Sequence, residues 1–561
     1  MAAQVAILSG PGIGHLFPCS ELARRLVRHH NLSVSLITQS LGPPSDTELS
    51  LISSIREEIN VVSIPPPPPH SIPQNKNLIF LLLFLSAHNG PHLHTILNSL
   101  TANTSTPPLK ALLVDMFCDE ATLDITQELG VRHYMFFTSG CILLSFALHL
   151  TKLDETYDGE YTDILEPIRL PGYSQSFYGK DFPQPVVERK NEVYTSYLSL
   201  SKLYYKTRGI LVNSTEELEP ELINFMKEDE RIPPVYPIGP LIRSCSRDRG
   251  SDATDDQCLR WLEEQPNRTV LYVSFGSGGT LTREQMKELA WGLELSKQRF
   301  LWVVKRPNDE ADASYFGGEI NVSSFNFLPN GFLDRTKGLG LVVFAWAPQL
   351  QMLGHAAIGG FLTHCGWNSI LESISNGVPM IAWPLFAEQK MNAVMLEEDV
   401  KVAVRAKVDD TGLVRKEEIV RLIKCLMEDE QGRKMRDRVS LIGSRQHLYI
   451  RENQKKHSRL KTKKLELSRH YLNKDKVNYI AYELLTDWIM VVSTYRKPCE
   501  YACTHKEEFR AKSENLKDRS YARKDARKDH PEEPTIRAYA CKDSRKGQHS
   551  EPCDPALTAI S

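Results

Sequence analysis

Short runs dense in Val, Ile, Leu and Phe recur along this chain, and longer stretches with amphipathic spacing separate them. VAIL near Val5, SVSLIT near Val34, KALLVDMF near Leu113, YMFFT near Met135 and GILVNS near Leu211 form one series. The Pro-rich passage RIPPVYPIGPLI and the polar RSCSRDRGSDATDD interrupt it, and a second series follows: VLYVSFGS, RFLWVV, LVVFAWAP, IGGFLTH, PMIAWPL and VKVAVR. Uninterrupted apolar runs suit strands buried on both faces, and the stretches between them suit the helical crossovers that parallel strands require. The pattern predicts an α/β protein of two doubly wound, Rossmann-like domains whose parallel sheets face a cleft. Ligands belong beyond the carboxyl ends of the strands, with the cleft as the place for chemistry. The boundaries read as 1–242, a linker at 243–256, and 257–440.

The remaining residues, 441–561, are of another kind. The whole chain of 561 residues has a formal net charge of -2, yet the part through Ser440 carries 42 basic and 53 acidic side chains and the tail 26 and 17. In QKKHSRLKTKK and RSYARKDARKDH charge is dense and apolar periodicity is lost, so the tail is expected to be largely disordered. Its basic residues are interspersed with acids and no nucleic-acid motif appears, which argues against an RNA-binding module. Cys499, Cys503 and His505 lack a second pair of zinc spacing at Cys541 and Cys553. Cys19, Cys118, Cys141 and Cys365 lie in apolar or motif-like stretches where a reduced thiol packs as a small hydrophobe. The start, MAAQVAILSGPG, has no basic region, and the apolar run from Leu78 to Leu85 is far shorter than the ~20 residues of a membrane span. A cytoplasmic monomer without a membrane span is the expectation.

Gly10, Gly12 and Gly14 follow the first strand and precede a helix in which Leu22 and Leu26, and Ala23 and Val27, are four apart. A dinucleotide fingerprint would need a glycine where His15 stands and an acidic residue after ITQS, and has neither. His15 instead sits at the open end of the sheet, with an ordinary pKa near 6.5 that suits a general base. Asp115 ends the strand LLVD, emerges at the same edge, and could fix the imidazole tautomer. At this point an exposed histidine and an aspartate capping the next helix remain an open alternative.

From Trp346 to Gln389 the chain reads WAPQLQMLGHAAIGGFLTHCGWNSILESISNGVPMIAWPLFAEQ. This stretch closely resembles the signature box of the plant family 1 UDP-dependent glycosyltransferases. The resemblance extends to GPGIGH, the VDMF strand end, SFGSGGTLT and FLDRTKGLGLVVFAWAPQ, and continues to about Arg438. GSGGTLT and AEQKMNA are most similar to the hydroquinone and phenylpropanoid glucosyltransferase branch. The box also makes physical sense as a UDP-sugar site. Trp346 offers a rigid face for uracil, and Gln349 and the backbone of Ala347 offer polar edge contacts. His364, Gly366, Asn368 and Ser369 lie where a strand turns into a helix, a natural anion site. Glu372, one turn in, could accept from both ribose hydroxyls. Ser277 matches a further phosphate-contacting position of the family.

The resemblance implies a GT-B fold and inverting transfer of glucose from UDP-glucose, a co-substrate, with no cofactor. Glu388 and Gln389 would hold the sugar hydroxyls, and Gln389 together with Trp367 matches the family pattern associated with glucose. His15 would deprotonate the acceptor and Asp115 would orient His15. No Asp-x-Asp metal site is evident, since Asp255 and Asp256 lie in the linker. A phenolic acceptor is expected, with Leu16, Phe17 and Phe117 as an apolar wall. Asn77 to Leu109, where the family places charged residues near the acceptor, contains none. The family's last helix, which returns to the first domain, lacks its usual sequence here, with VNYIAYELLTDWIMVV as a possible substitute. A chain deprived of that helix could bind UDP-sugar without turnover, which is the alternative reading.

Overall fold

The computed structural model describes residues 3–73, 78–117, 119–242, 253–308, 325–344 and 346–448. Among the described residues, nine strands belong to the first half: β1 (Gln4–Leu8), β2 (Ser33–Thr38), β3 (Asn60–Ser63), β4 (Leu109–Asp115), β5 (Arg132–Phe137), β6 (Ile168–Arg169), β7 (Ser176–Phe177), β8 (Ile210–Val212) and β9 (Val235–Pro237). Six belong to the second: β10 (Val270–Ser274), β11 (Arg299–Val304), β12 (Gly340–Phe344), β13 (Ile358–Thr363), β14 (Met380–Ala382) and β15 (Ala403–Arg405). Among the described residues they form a seven-stranded sheet of order β3-β2-β1-β4-β5-β8-β9, a six-stranded sheet of order β12-β11-β10-β13-β14-β15, and the small hairpin β6-β7. Both large sheets are parallel throughout.

Strand order reverses between β1 and β4 in one sheet and between β10 and β13 in the other, and each reversal opens a crevice at the carboxyl edge. The two-residue period of the strands divides the core. Val5 and Ile7 pack with Leu22 and Leu26 of the helix Ile13–His30, while Ala6 and Leu8 face a larger cluster on the other side. That larger cluster runs through both halves, from Leu112 and Phe146 to Ile370, Val439 and Ile442, so the halves share buried apolar surface. No helix among the described residues is long and apolar enough to cross a membrane.

Two sequence expectations change at the ends of the second half. A helix begins at Ala253, inside the stretch read as linker. Another helix spans 430–448, so the break expected near Arg438 does not occur there, and residues 441–448 of the stretch read as tail are helical. Packing explains the helix where composition did not: Val439 is fully buried, Ile442 nearly so, and Gln446 donates to Thr215 Oγ1 of the first half at 3.1 Å. Ser375 Oγ meets Gln446 Oε1 at 3.4 Å, and His447 Nε2 pairs with the Ser375 carbonyl at 2.9 Å. Residues 449–561, including VNYIAYELLTDWIMVV and the Cys499 cluster, lie outside the described residues, as does Cys118.

Candidate active site

The turn that carries His15 is built by glycines with distinct duties. Gly12 has φ 85° and caps the helix Ile13–His30, which brings His15 into the first turn. Gly10 passes so close to Asp115 that an added Cβ would fall 2.7 Å from Oδ1. With β1 and β4 paired in parallel, Leu8 opposite Val114, His15 and Asp115 leave the sheet side by side. His15 Nδ1 lies 2.9 Å from Asp115 Oδ2. The backbone N–H of Phe117 reaches Asp115 Oδ1 at 3.4 Å. Asp115 thus favours the tautomer with the proton on Nδ1 and leaves Nε2 as the acceptor of a proton.

Burial pushes the His15 pKa down most strongly, but the charge and hydrogen bond of Asp115, with the charge of Glu388, leave it raised above its ordinary value. Thr138, which the sequence reading missed, approaches both partners, at 3.2 Å from His15 Nδ1 and 3.4 Å from Asp115 Oδ2. It follows β5, the strand beside β4, so its emergence at this edge was available from strand order alone.

The second half presents its own turns to the same cleft. Cys365 adopts φ 65°, a conformation that costs a non-glycine residue about 1–3 kcal/mol. Asn392 Nδ2 holds the Cys365 carbonyl at 3.0 Å, and the thiol is fully buried, so Cys365 shapes the turn beneath His364 and Gly366. The helix Trp367–Ser375 then starts at the cavity, which Gly366, Trp367, Asn368 and Ser369 line. His364 is buried and neutral, its pKa lowered to about 3 by burial and by the nearby charge of Lys305. A neutral imidazole donates one N–H, so it can serve an anion as a donor without supplying charge.

One cavity joins these parts, with about 1070 Å³ of empty space counting that open to solvent. His15, Thr138 and Ser139 line it from the first half, and Ser277, His364, Gly366, Trp367, Asn368, Ser369, Glu388 and Gln389 from the second. Contacts cross it. Ser139 Oγ donates to Glu388 Oε1 at 3.1 Å, and Asn368 Nδ2 donates to the Gly14 carbonyl at 2.9 Å. Gln389 Oε1 accepts from the backbone N–H groups of Leu385 and Phe386 at 2.9 and 3.0 Å, which orients its amide NH₂. Trp367 donates its indole N–H to the Asn213 carbonyl at 2.7 Å and lies against Gly140, where an added Cβ would come 2.5 Å from the ring. Its indole N–H therefore ties the halves together and is not left for a sugar.

Trp346, Ala347, Gln349 and Glu372 fall outside the lining of this cavity. Trp346 is 45% exposed, a free face for stacking, while Ala347 is buried. Gln349 Nε2 links this group to the cavity, donating to Ser369 Oγ at 2.8 Å and to Glu372 Oε2 at 2.7 Å. The expected acceptor wall needs correction. Leu16 is buried in the core cluster with Ile7 and Leu22, and Phe17 packs against that cluster, because both occupy helix positions facing the sheet. Phe117 does line the cavity, its ring 5.3 Å from that of His15. The apolar wall comprises Phe117 with Leu82, Met116, Leu143, Tyr197 and Phe386. Leu82 belongs to the uncharged helix Leu78–Ala102.

Comparison with known proteins places these features in a family. The family model described as UDP-glucoronosyl and UDP-glucosyl transferase matches residues 229–446. Hydroquinone glucosyltransferase of Rauvolfia serpentina is 45% identical over 435 residues, covering 77% of this chain and 91% of the relative. UDP-glycosyltransferase 72B1 of Arabidopsis thaliana is 44% identical over 439 residues, covering 78% and 90%. Among solved structures, UGT2 of Phytolacca americana complexed with UDP-2fluoro-glucose and pterostilbene superposes with a TM-score of 0.71 at 41% identity, covering 79% of this chain and 94% of that one.

Proposed function

The chain belongs to the plant family 1 UDP-dependent glycosyltransferases, in the branch of the hydroquinone glucosyltransferases. From that premise we propose that it transfers glucose from UDP-glucose to a hydroxyl of a small phenolic acceptor, with inversion at the anomeric carbon. The observation that carries this reading is the single cavity in which His15, held by Asp115, meets Glu388 and Gln389 from the other half. Nε2 of His15 accepts the phenolic proton as the acceptor oxygen attacks, and Asp115 stabilises the imidazolium that forms. Glu388 and Gln389 hold the sugar hydroxyls, so the anomeric carbon faces His15. Trp346 stacks on uracil and Glu372 receives the ribose hydroxyls.

The departing diphosphate gains charge, which donors at His364, Asn368 and Ser369 and the amide groups opening the helix Trp367–Ser375 offset. Asn368 must then exchange its bond to Gly14 for one to phosphate. No cofactor is invoked, and turnover undiminished by a chelator is the expected outcome. The ground for a binding protein without turnover was a missing last helix; helix 430–448 and its contact with Thr215 weaken it. The described cysteines are free and buried, which supports a reducing, cytoplasmic setting. The test is product analysis of the purified chain with UDP-glucose and hydroquinone, beside His15→Ala. A β-glucoside from the native chain alone is expected; an active His15→Ala variant would refute the role of His15.

A further inference from the structure

The carboxyl end of β11 carries a cation to the loop that follows β10, in a small pocket beside the main cavity that Lys305 lines with Phe275, Gly276 and Leu281. β11 runs parallel to β10 with Trp302 opposite Val273, so Lys305, just past β11, comes level with the loop that follows β10. The N–H of Asn308 donates to the Leu281 carbonyl at 3.1 Å, which keeps residues 305–308 alongside that loop. Between these anchors Lys305 Nζ donates to the carbonyl of Ser277. Gly276, Ser277 and Gly278 line the cavity, and His364 packs against Gly276 so closely that an added Cβ there would meet its ring. The buried Nδ1 of His364 has no hydrogen-bond partner, and the charge of Lys305 helps burial to keep that ring neutral. Every other group assigned to the diphosphate is uncharged.

On the UDP-glucose reading given above, we propose that Lys305 is the positive charge of the diphosphate site, held beside the Ser277 loop by the Ser277 carbonyl. As the bond from the anomeric carbon to the β-phosphate oxygen breaks, its electron pair stays on that oxygen. The acceptor oxygen forms the new bond and gives its proton to His15. UDP thereby leaves with one more negative charge than it carried as an ester, and an ammonium group beside the loop favours that change. Lys305 reaches the anion with a rotatable head, so its charge can follow the phosphates without a fixed geometry.

Calorimetric binding of UDP and of uridine to the full chain separates charge from shape. Lys305→Met is expected to weaken UDP about tenfold and leave uridine unchanged, with Lys305→Arg close to native for both. Retained uridine binding also shows that the variant is folded. Three results would overturn the proposal: unchanged UDP affinity in Lys305→Met, an equal loss for UDP and uridine, or a Lys305→Arg variant as weak as Lys305→Met. The last would mean that Lys305 only shapes the Ser277 loop. A native chain that binds no UDP at all would remove the underlying UDP-glucose reading itself.

Discussion

Replacing Asp115 with Asn keeps the shape of the side chain and removes its charge. In the native pair the carboxylate lies 2.9 Å from His15 Nδ1, and the side chains of His15 and Asp115 are 16% and 3% exposed. Two unit charges with centres about 4 Å apart attract by about 4 kcal/mol at an effective dielectric constant of about 20. His15 carries only part of a proton at the transition state, so roughly half of that, about 2 kcal/mol, is at stake electrostatically. Asn can also turn its amide toward Nδ1, which places the ring proton on Nε2, where the base must accept. Together these effects should lower kcat by about 10²–10⁴-fold.

The pH profile supplies a second signature with a definite sign. Burial lowers the His15 pKa, and Asp115 and Glu388 more than offset it. Without the Asp115 charge the pKa falls. Since His15 must be neutral to act, the acid limb of kcat/KM should move to lower pH while the plateau drops. Initial rates with UDP-glucose and a phenol from about pH 5 to pH 9 would show both. A plateau close to native, or an acid limb that stays in place or moves to higher pH, would refute the pairing argument.

Trp346→Ala should raise KM for UDP-glucose by about 5–150-fold, the equivalent of about 1–3 kcal/mol of stacking, and leave acceptor KM unchanged in steady-state assays. Phe117→Ala should alter acceptor KM with little effect on melting temperature, whereas Leu16→Ala should cost about 2–5 kcal/mol of stability and leave acceptor preference intact. At Gly443 an added methyl group would clash with the Ile374 carbonyl, so Gly443→Ala should push helix 430–448 outward. A lower melting temperature, by about 1–3 kcal/mol of stability, is the outcome to check by calorimetry.

Periodicity made the two parallel sheets legible, because strands buried on both faces need continuous apolar runs and the chain writes them plainly. The meeting of His15 with Asp115 followed from strand ends at one edge, but the choice between a catalytic pair and an ordinary cap needed the signature box. Leu16 and Phe17 were misread because adjacency in sequence was taken for adjacency in the cleft. On a helix, residues one and two beyond His15 turn 100° and 200° away from it, toward the sheet. Thr138 and Ser139 went unseen because a hydroxyl beside a strand end has no spacing signature of its own. The helix 430–448 was lost to local composition, since its charged face masks a burial that comes from residues far away in sequence, Thr215 and Ser375 among them.

The turn at 213–215 receives three connections from elsewhere. Asn213 Oδ1 accepts from the Leu241 N–H at 2.9 Å, where the chain leaves the first half; its carbonyl holds Trp367; and Thr215 holds the terminal helix through Gln446. A separate set of contacts, Gln184 N–H to the Ala387 carbonyl, Lys390 to the Lys180 carbonyl, and Arg405 with Asp181, joins the halves around residues 180–184. Mechanically this resembles a book bound along one corner. The spine is the turn at 213–215, where the covalent crossing and the returning helix converge, and residues 180–184 act as the clasp. Pages so bound keep their alignment along that corner, because one turn holds the chain's exit from the first half, the start of the helix Trp367–Ser375 and the terminal helix.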